Sequence, residues 1–242
     1  MRLTAAVVVL VFAVAAPAFY VAFYREAPTT VHAPVAMQPA PKLPDHLSQE
    51  AIAAMTADPM THYFGIRLTG NTVAYVVDGH ESMAPYIENL AFLTNSVNAA
   101  IPAGTRRVGI VQALAEEGKF LNEVMEPTGD LMPTLNTKLT AGRTDLSAAL
   151  SMASGWYTDQ LFLVLARKLS QEELRVLVRS AEQTGAVVNV IALGEAARQS
   201  DLSAISSATR GQFISADDPL FAAVVSRQYD AVNNSPGRKT SL

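Results

Sequence analysis

The chain contains no cysteine, and this absence excludes several kinds of chemistry. None of its 242 residues can form a disulfide, a cysteine-ligated zinc site, an iron–sulfur cluster or a thiol nucleophile. Charged residues are also scarce, at 17% of the chain, and the Lys and Arg residues do not cluster. Because the net charge is −4, the composition predicts no nucleic-acid partner.

Two catalytic patterns are missing as well. No glycine-rich phosphate loop of the Walker type occurs in the sequence. Ser82 follows a predicted strand, as the nucleophile of a serine hydrolase does, but no histidine follows His80, and the hydrolase triad needs one downstream. His80 also stands where a phosphotransferase with Asp-x-Asp after the strand would need its second Asp. We therefore expect no small-molecule substrate and predict that the chain is not an enzyme.

The sequence does contain one long uncharged run, from Leu3 to Tyr24. As a helix it would extend about 33 Å, close to the ~30 Å hydrocarbon core of a bilayer. A signal peptide cleaved near residues 16–18 is the alternative, although the apolar run continues past that point. The sequence predicts a single-pass transmembrane signal anchor over residues 1–24, with the remainder outside the cytoplasm, on the periplasmic or extracellular face.

Closely spaced prolines fill residues 25–47 and predict an extended, semi-rigid tether. Residues 48–232 are predicted to form one folded domain that opens with a short helix at Ser48–Ala57. The polar residues 233–242 are predicted to be a flexible tail.

Strand-like and helix-like segments alternate through this domain. Apolar runs predict strands at Asn71–Asp78, Val108–Leu114, Lys119–Met125, Leu161–Leu165, Ala186–Leu193 and Gln212–Ser215. Periodicity and capping residues predict helices at Tyr86–Ala100, Thr144–Ala153, Ser170–Gln183, Ala196–Ala208 and Pro219–Tyr229. This order predicts an α/β fold, with a doubly wound, mostly parallel central sheet and helices on both faces.

Ligand sites in such sheets lie beyond the carboxyl ends of the central strands, so the loops there are the candidate site. The N-cap of the second helix is assigned to Thr144, with Asp145 in its first turn. Asp78 and Ser82 have a simpler interpretation as caps of the helix that begins near Pro85. Trp156 and Tyr157 are expected to pack at the edge of the core.

Two loop motifs stand out in the chain. Val-Val-Asp-x-x-x-Ser-Met ends at Met83, and Gly-x-Thr-Asp-Leu ends at Leu146. Tyr-Phe-Gly precedes the first strand at residues 63–65, and Ala-Thr-Arg-Gly-Gln-Phe stands at residues 208–213. In this order the motifs resemble a von Willebrand factor A domain of bacterial type, over Phe64–Val225.

The resemblance implies a metal-ion-dependent adhesion site. In that family an Asp-x-Ser-x-Ser motif, a Thr on a second loop and an Asp on a third hold Mg²⁺ or Mn²⁺, which then binds a partner's carboxylate. The implied metal ligands here are Asp78, Ser82 and Thr144. His80 replaces the first Ser of the motif, and Ala166 stands at the position of the last carboxylate.

The third loop continues with Arg167 and Lys168, and positive charge at this position opposes a divalent cation. We therefore expect a degenerate site without a cofactor, in which Arg167 or Lys168 pairs with Asp78. A softer ion held by the imidazole of His80 and by Asp78 is an alternative. Mg²⁺ or Mn²⁺ is the metal expected if the ordinary site is retained.

The resemblance implies a membrane-anchored protein-interaction module that binds another protein or copies of itself. Its predicted partner-binding residues are Asp78, His80, Ser82, Thr144, Asp145 and Arg167. One alternative is a metal-dependent adhesion domain with an unusual ligand set. Another is a structural or regulatory subunit of a membrane-associated complex.

Overall fold

The computed structural model describes residues 61–102, 105–114, 121–125 and 139–234, with the backbone alone for 121–125. All of them belong to one unit of the chain, Ala40–Leu242. The predicted anchor, the predicted tether and the predicted helix at Ser48–Ala57 lie outside the described residues. Within the described part, no helix is both long enough and apolar enough to cross a membrane.

A six-stranded sheet forms the centre of the described domain. Its strands are β3 (Thr72–Asp78), β4 (Arg107–Ala113), β5 (Leu121–Met125), β6 (Gln160–Leu165), β7 (Val187–Leu193) and β8 (Phe213–Ala216). The strand order is β5-β4-β3-β6-β7-β8, in which five strands run parallel and β5 pairs antiparallel with β4 at one edge. Every residue of β3 and β6 is buried, as their continuous apolar sequences predict.

Helices cover both faces of this sheet. They are α1 (Ile87–Ala99), α2 (Leu146–Ser154), α3 (Gln171–Thr184), α4 (Ser203–Ser207) and α5 (Asp218–Asn234). One apolar cluster lies between the sheet and α1 with α5, and a second lies between the sheet and α2, α3 and α4. The predicted doubly wound α/β architecture is thereby confirmed for the described residues. The last helix continues to Asn234, beyond its predicted end at Tyr229 and into the predicted tail.

A small hairpin that the sequence did not predict precedes the sheet. It consists of β1 (His62–Tyr63) and β2 (Ile66–Arg67), joined by a turn in which Phe64 has φ 52° and Gly65 has φ 75°. The ring of Tyr63 contacts Phe162 of β6 edge-on, with ring centroids 5.1 Å apart. This aromatic contact anchors the hairpin on the same face of the sheet as α1 and α5.

The predicted continuous helix at Ala196–Ala208 is wrong. The segment forms 3₁₀ turns at Ala196–Arg198 and Ser200–Leu202 before α4 begins. Gln199, with φ −100° and ψ 87°, breaks the helix, and its buried side chain accepts from the backbone N–H of Leu169 and donates to the Leu169 carbonyl. The Gln199 side chain therefore pairs the backbone N–H and carbonyl of Leu169, a buried residue that follows β6.

The prediction that Tyr157 packs at the core edge is also wrong, whereas Trp156 does pack there. Trp156 lies against the cluster under α2, above Gly109 of β4, where an added Cβ would overlap the indole ring. Tyr157 has the left-handed φ of 56°, which is uncommon for a bulky residue, and 90% of the residue is exposed.

Candidate functional site

The candidate site lies at the carboxyl end of the sheet, meaning the loops that follow the carboxyl ends of the parallel strands. Asp78 is the last residue of β3 and is fully buried. Side chains alternate along a strand, so Asp78 faces the same side as Ala74 and Val76, which pack in the cluster under α2 and α3. A buried carboxylate at this position requires partners from the neighbouring loops.

Both carboxylate oxygens of Asp78 have such partners. Oδ1 accepts from the backbone N–H of His80 at 3.1 Å and from the hydroxyl of Thr144 at 2.6 Å. Oδ2 accepts from Nε of Arg167 at 3.2 Å. Three loops thus converge on one carboxylate, and its charge is compensated by the guanidinium.

Arg167 links this carboxylate to a second one. Its Nη2 donates to Oγ1 of Thr144 at 3.3 Å, and its Nη1 lies 2.9 Å from Oε1 of Glu173. Only 13% of the Arg167 side chain is exposed. The predicted ion pair between Asp78 and a cation of the third loop is therefore present, and it is made by Arg167, while the neighbouring Lys168 is exposed.

Glu173 is a member of this network that the sequence did not assign to the site. Its Oε2 accepts from the backbone N–H and the hydroxyl of Ser170, which completes the predicted capping box at the start of α3. Burial raises the pKa of Glu173, but hydrogen bonds from Ser170 and the charge of Arg167 outweigh it and hold that pKa below the ordinary value. The signal available in the sequence was the capping box itself, which fixes the Glu173 carboxylate close to the loop that carries Arg167.

His80 and Ser82 form a separate local motif. Nδ1 of His80 accepts from the backbone N–H of Ser82 at 3.1 Å, so His80 is the N-cap of the 3₁₀ turn Glu81–Met83. The hydroxyl of Ser82 lies 3.0 Å from the same nitrogen. The alternative interpretation, in which Asp78 and Ser82 cap the helix near Pro85, is wrong, because α1 has no side-chain cap bond at Tyr86. The capped element is the preceding 3₁₀ turn, and its cap is Nδ1 of His80.

The first loop is also held by backbone contacts. The N–H of Glu81 donates to the carbonyl of Thr140 at 2.8 Å, and the N–H of Thr140 donates to the carbonyl of Gly79 at 2.9 Å. Gly79 in turn donates to the carbonyl of Ala113 at 2.7 Å, an approach so close that any Cβ would collide with that carbonyl. The loops after β3 and before α2 are thus joined by backbone hydrogen bonds.

The assignment of Thr144 as the N-cap of α2 is wrong. The cap is Asp145, whose carboxylate accepts from the backbone N–H of Ala148 at 2.9 Å. Thr144 is buried, and its hydroxyl is committed to Asp78 and Arg167 instead. Asp145 consequently lies beside the network and outside it.

A cavity of about 440 Å³ opens next to the network, between α2 and α3. Its lining combines the cations Arg143 and Arg167 with the acids Asp145 and Glu173, and its exposed apolar side chain is Val176. Arg143 is 65% exposed at its rim, with Nε 3.5 Å from Oε1 of Glu173. The volume is in the range of sites that take a side chain or a small ligand.

The arrangement of the three implied metal ligands suits a guanidinium better than a divalent ion. Asp78 and Thr144 are brought together, but their oxygens are occupied by donors of the chain itself. The hydroxyl of Ser82 contacts Nδ1 of His80 instead of Asp78 or Thr144. Among the described residues, no three His, Asp or Glu side chains converge as a cluster that would hold a metal ion.

Comparisons with known proteins find similarity in structure and none in sequence. No protein-family model matches the chain, and no curated protein matches it. The chain is similar to the SpRpn10 VWA domain, at 13% identity and a TM-score of 0.48, over 65% of this chain and 94% of that one. It is similar to the open conformation of the pilus adhesin SpaC from Lactobacillus rhamnosus GG, at 11% identity and a TM-score of 0.49, over 69% of this chain and 30% of that one.

A third similar structure is the human COPII-coat protein Sec24c, at 11% identity and a TM-score of 0.41, over 61% of this chain and 29% of that one. The strand order and the helix packing of this chain define its fold independently of these similarities.

Proposed function

We propose that the domain is a protein-interaction module whose binding face is the carboxyl end of the sheet and whose binding needs no metal ion. The observation that carries this proposal is the contact of 3.2 Å between Nε of Arg167 and Oδ2 of Asp78. The guanidinium is fixed from its other side by Thr144 and Glu173. A second cation beside Asp78 would be repelled by this one at short range.

The shape and chemistry of the face support contact with a protein. The network holds the loops in one arrangement, so little conformational entropy is lost when a partner binds. The cavity between α2 and α3 has the exposed Val176 in its wall and Arg143 at its rim, and arginine beside apolar surface is typical of interface centres. The partner is another protein or a second copy of the chain.

We further propose that the domain acts at a membrane surface outside the cytoplasm and is not catalytic. The uncharged run Leu3–Tyr24 and the proline-rich residues 25–47 support the first statement. The alternative, a structural or regulatory subunit of a membrane complex, would use the same face. Co-purification from membranes with a partner at fixed stoichiometry would favour this alternative. A free adhesion module instead binds its partner as a purified protein in solution.

Metal dependence is tested by thermal unfolding of the full chain in EDTA, Mg²⁺, Mn²⁺ and Zn²⁺. A ligand that binds the folded state alone raises the midpoint as its concentration passes its dissociation constant. We expect equal midpoints in all four solutions. A rise with Mg²⁺ or Mn²⁺ that disappears in Asp78→Ala would contradict metal-free binding.

The binding face is tested with Arg143→Glu and, as a matched control, Arg179→Glu on the exposed side of α3. Arg179→Glu should unfold like the unaltered protein, whereas Arg143→Glu also loses the exposed ion pair with Glu173 and should lose up to about 1 kcal/mol of unfolding free energy while remaining folded. Partner capture by chemical cross-linking in intact membranes should fall in Arg143→Glu alone. Equal capture by the two variants would place the binding face elsewhere.

A serine hydrolase is the second candidate, because the hydroxyl of Ser82 lies 3.0 Å from Nδ1 of His80. The same nitrogen accepts the backbone N–H of Ser82, which makes the contact a cap rather than a base aimed at a nucleophile. A fluorophosphonate probe distinguishes the two interpretations. We expect no labelling, whereas labelling that is lost in Ser82→Ala would establish the hydrolase.

A further inference from the structure

The amino end of the sheet, meaning the loops that precede the parallel strands, carries exposed side chains that the proposed function does not use. Its described loops are residues 68–71, 100–102, 105–106, 155–159, 185–186 and 208–212. Tyr157, in the loop before β6, is 90% exposed, and Val187, the first residue of β7, is 39% exposed. These are two of the three large hydrophobic residues that are exposed in the described part of the chain.

Arginines surround these two residues. Arg106 and Arg107 stand at the start of β4, and Arg210 precedes β8. Strands lie about 4.8 Å apart, so each group of arginines is two strands, or about 10 Å, from the start of β6 where Tyr157 lies. The side chain of Arg106 is held at this end by a hydrogen bond of 2.8 Å from Nε to the carbonyl of Gly70.

The single acid in the described part of these loops, Asp159, is turned inward. Its Oδ2 accepts from the backbone N–H groups of Asn71 at 2.6 Å and Thr72 at 3.0 Å. Its carboxylate is thus used to tie the loop before β6 to the loop before β3. Among the described loop residues of the amino end the three arginines are therefore the cations that face solvent, of which Arg106 is half-buried, while the exposed acid Glu182 lies nearby in the last turn of α3.

Backbone strain is concentrated at the same end. Three described non-glycine residues have positive φ, and two of them are Tyr157 at 56° and Arg210 at 62°. Both are exposed, so neither conformation is compensated by burial of the side chain. Both residues follow the end of a helix within three residues, α2 for Tyr157 and α4 for Arg210, and a left-handed residue commonly ends a helix.

We propose that the amino end of the sheet docks on an anionic lipid surface, with Tyr157 at the interface and Arg106, Arg107 and Arg210 on lipid phosphates. Tyrosine favours the headgroup region of a bilayer, and arginines are attracted by anionic lipid. The chain also enters the described domain here. The first described residue, Thr61, accepts the backbone N–H of Leu68 on its carbonyl. The backbone N–H of the next residue, Thr69, donates to the side-chain oxygen of Gln160, the first residue of β6, so Thr61 lies close to the amino end.

A lipid surface is favoured over an acidic protein by the rest of the sequence, in which an uncharged run of bilayer length precedes this point of entry. The test uses the full chain, reconstituted into phosphatidylcholine vesicles with or without phosphatidylglycerol. Because the chain has no cysteine, a fluorophore can be attached at one chosen position. Gln212→Cys labels the amino end and Glu195→Cys labels an exposed loop at the carboxyl end.

We expect nitroxide-labelled lipid to quench the label at residue 212 in vesicles that contain phosphatidylglycerol, with less quenching in phosphatidylcholine alone and in high salt. The label at residue 195 should be quenched in neither. Adding Arg210→Gln to Gln212→Cys should lower docking about fivefold, while Arg198→Gln at the carboxyl end should leave it unchanged. Equal quenching of both labels, or quenching that phosphatidylglycerol does not increase, would overturn the proposal. A fluorescence change of the label at residue 212 on addition of poly-glutamate, without quenching by nitroxide-labelled lipid in anionic vesicles, would assign the surface to an acidic protein. That result would overturn the proposal as well.

Discussion

The two ends of the sheet differ in how they use charge. At the carboxyl end, Asp78, Arg167 and Glu173 form a linked set in which each charge faces its opposite, with little exposure to solvent. At the amino end, Arg107 and Arg210 are exposed and belong to no ion pair that the structure describes. The first arrangement contributes to the stability of the fold and the second does not, so substitutions at the two ends should have different consequences.

The largest effect is expected from Arg167→Met, which leaves the buried Asp78 without its cation. Breaking a buried ion pair from one side costs about 3–5 kcal/mol of unfolding free energy. Urea unfolding measures this loss, and Lys168→Met, at the exposed neighbour, should change stability by less than about 0.5 kcal/mol. Adding Asp78→Asn to Arg167→Met should recover part of the loss. Equal effects at residues 167 and 168 would refute the buried pair.

A smaller effect is expected from Thr144→Val, which removes the hydroxyl between Asp78 and Arg167. Leaving a buried acceptor without one of its donors costs about 1–3 kcal/mol. Thr144→Ser keeps the hydroxyl and should restore most of the stability, as measured by urea unfolding. Asp145→Ala removes only a helix cap, at a cost of about 1 kcal/mol. A larger loss from Asp145→Ala than from Thr144→Val would show that the cap and the network had been assigned the wrong way round.

The pH dependence of stability isolates Glu173. Its pKa in the folded protein is below the ordinary value of 4.5, so its contribution is fully present above that pH and is lost as the pH falls through the folded pKa. Glu173→Gln should therefore lower the thermal midpoint most at neutral pH, and the difference from the unaltered protein should shrink on acidification. Glu172→Gln, on the exposed first turn of α3, is the control for loss of a carboxylate near the helix N-terminus, and its effect on the midpoint should be smaller than that of Glu173→Gln. A constant difference for Glu173→Gln across this range would contradict the assignment.

The smallest effect on stability is expected at the amino end, from Tyr157→Asn. The side chain is almost fully exposed, and asparagine tolerates positive φ better than tyrosine, so the unfolding free energy should change by less than about 0.5 kcal/mol. Calorimetry or urea unfolding measures this value. A loss of several kcal/mol would mean that Tyr157 is packed after all and would remove the contrast between the two ends.

The sequence predicted the sheet and most helices because their signals are local. Continuous apolar runs mark β3 and β6, and the capping box at Ser170 marks the start of α3. The sequence could not predict the breaks that depend on distant partners. Gln199 interrupts the expected helix because its amide satisfies Leu169, thirty residues earlier in the chain.

The site was predicted in part for the same reason. The loop that carries Arg167 follows a central strand, so its approach to Asp78 could be inferred from strand order and charge. The exchange of roles between Thr144 and Asp145 could not, since both residue types cap helices well and only the packed structure shows which side chain points inward. The capping role of His80 was missed because histidine is an uncommon N-cap residue.

The cation opposite Asp78 is part of the polypeptide, attached at the end of β6. Its effective concentration beside the carboxylate is set by the chain and does not depend on the ionic composition of the surroundings. The network therefore forms when the domain folds, and its geometry is inherited with the sequence. Control over binding at the proposed face would therefore come from access to the face, from the partner, or from where the domain is held, and not from loading with a metal ion.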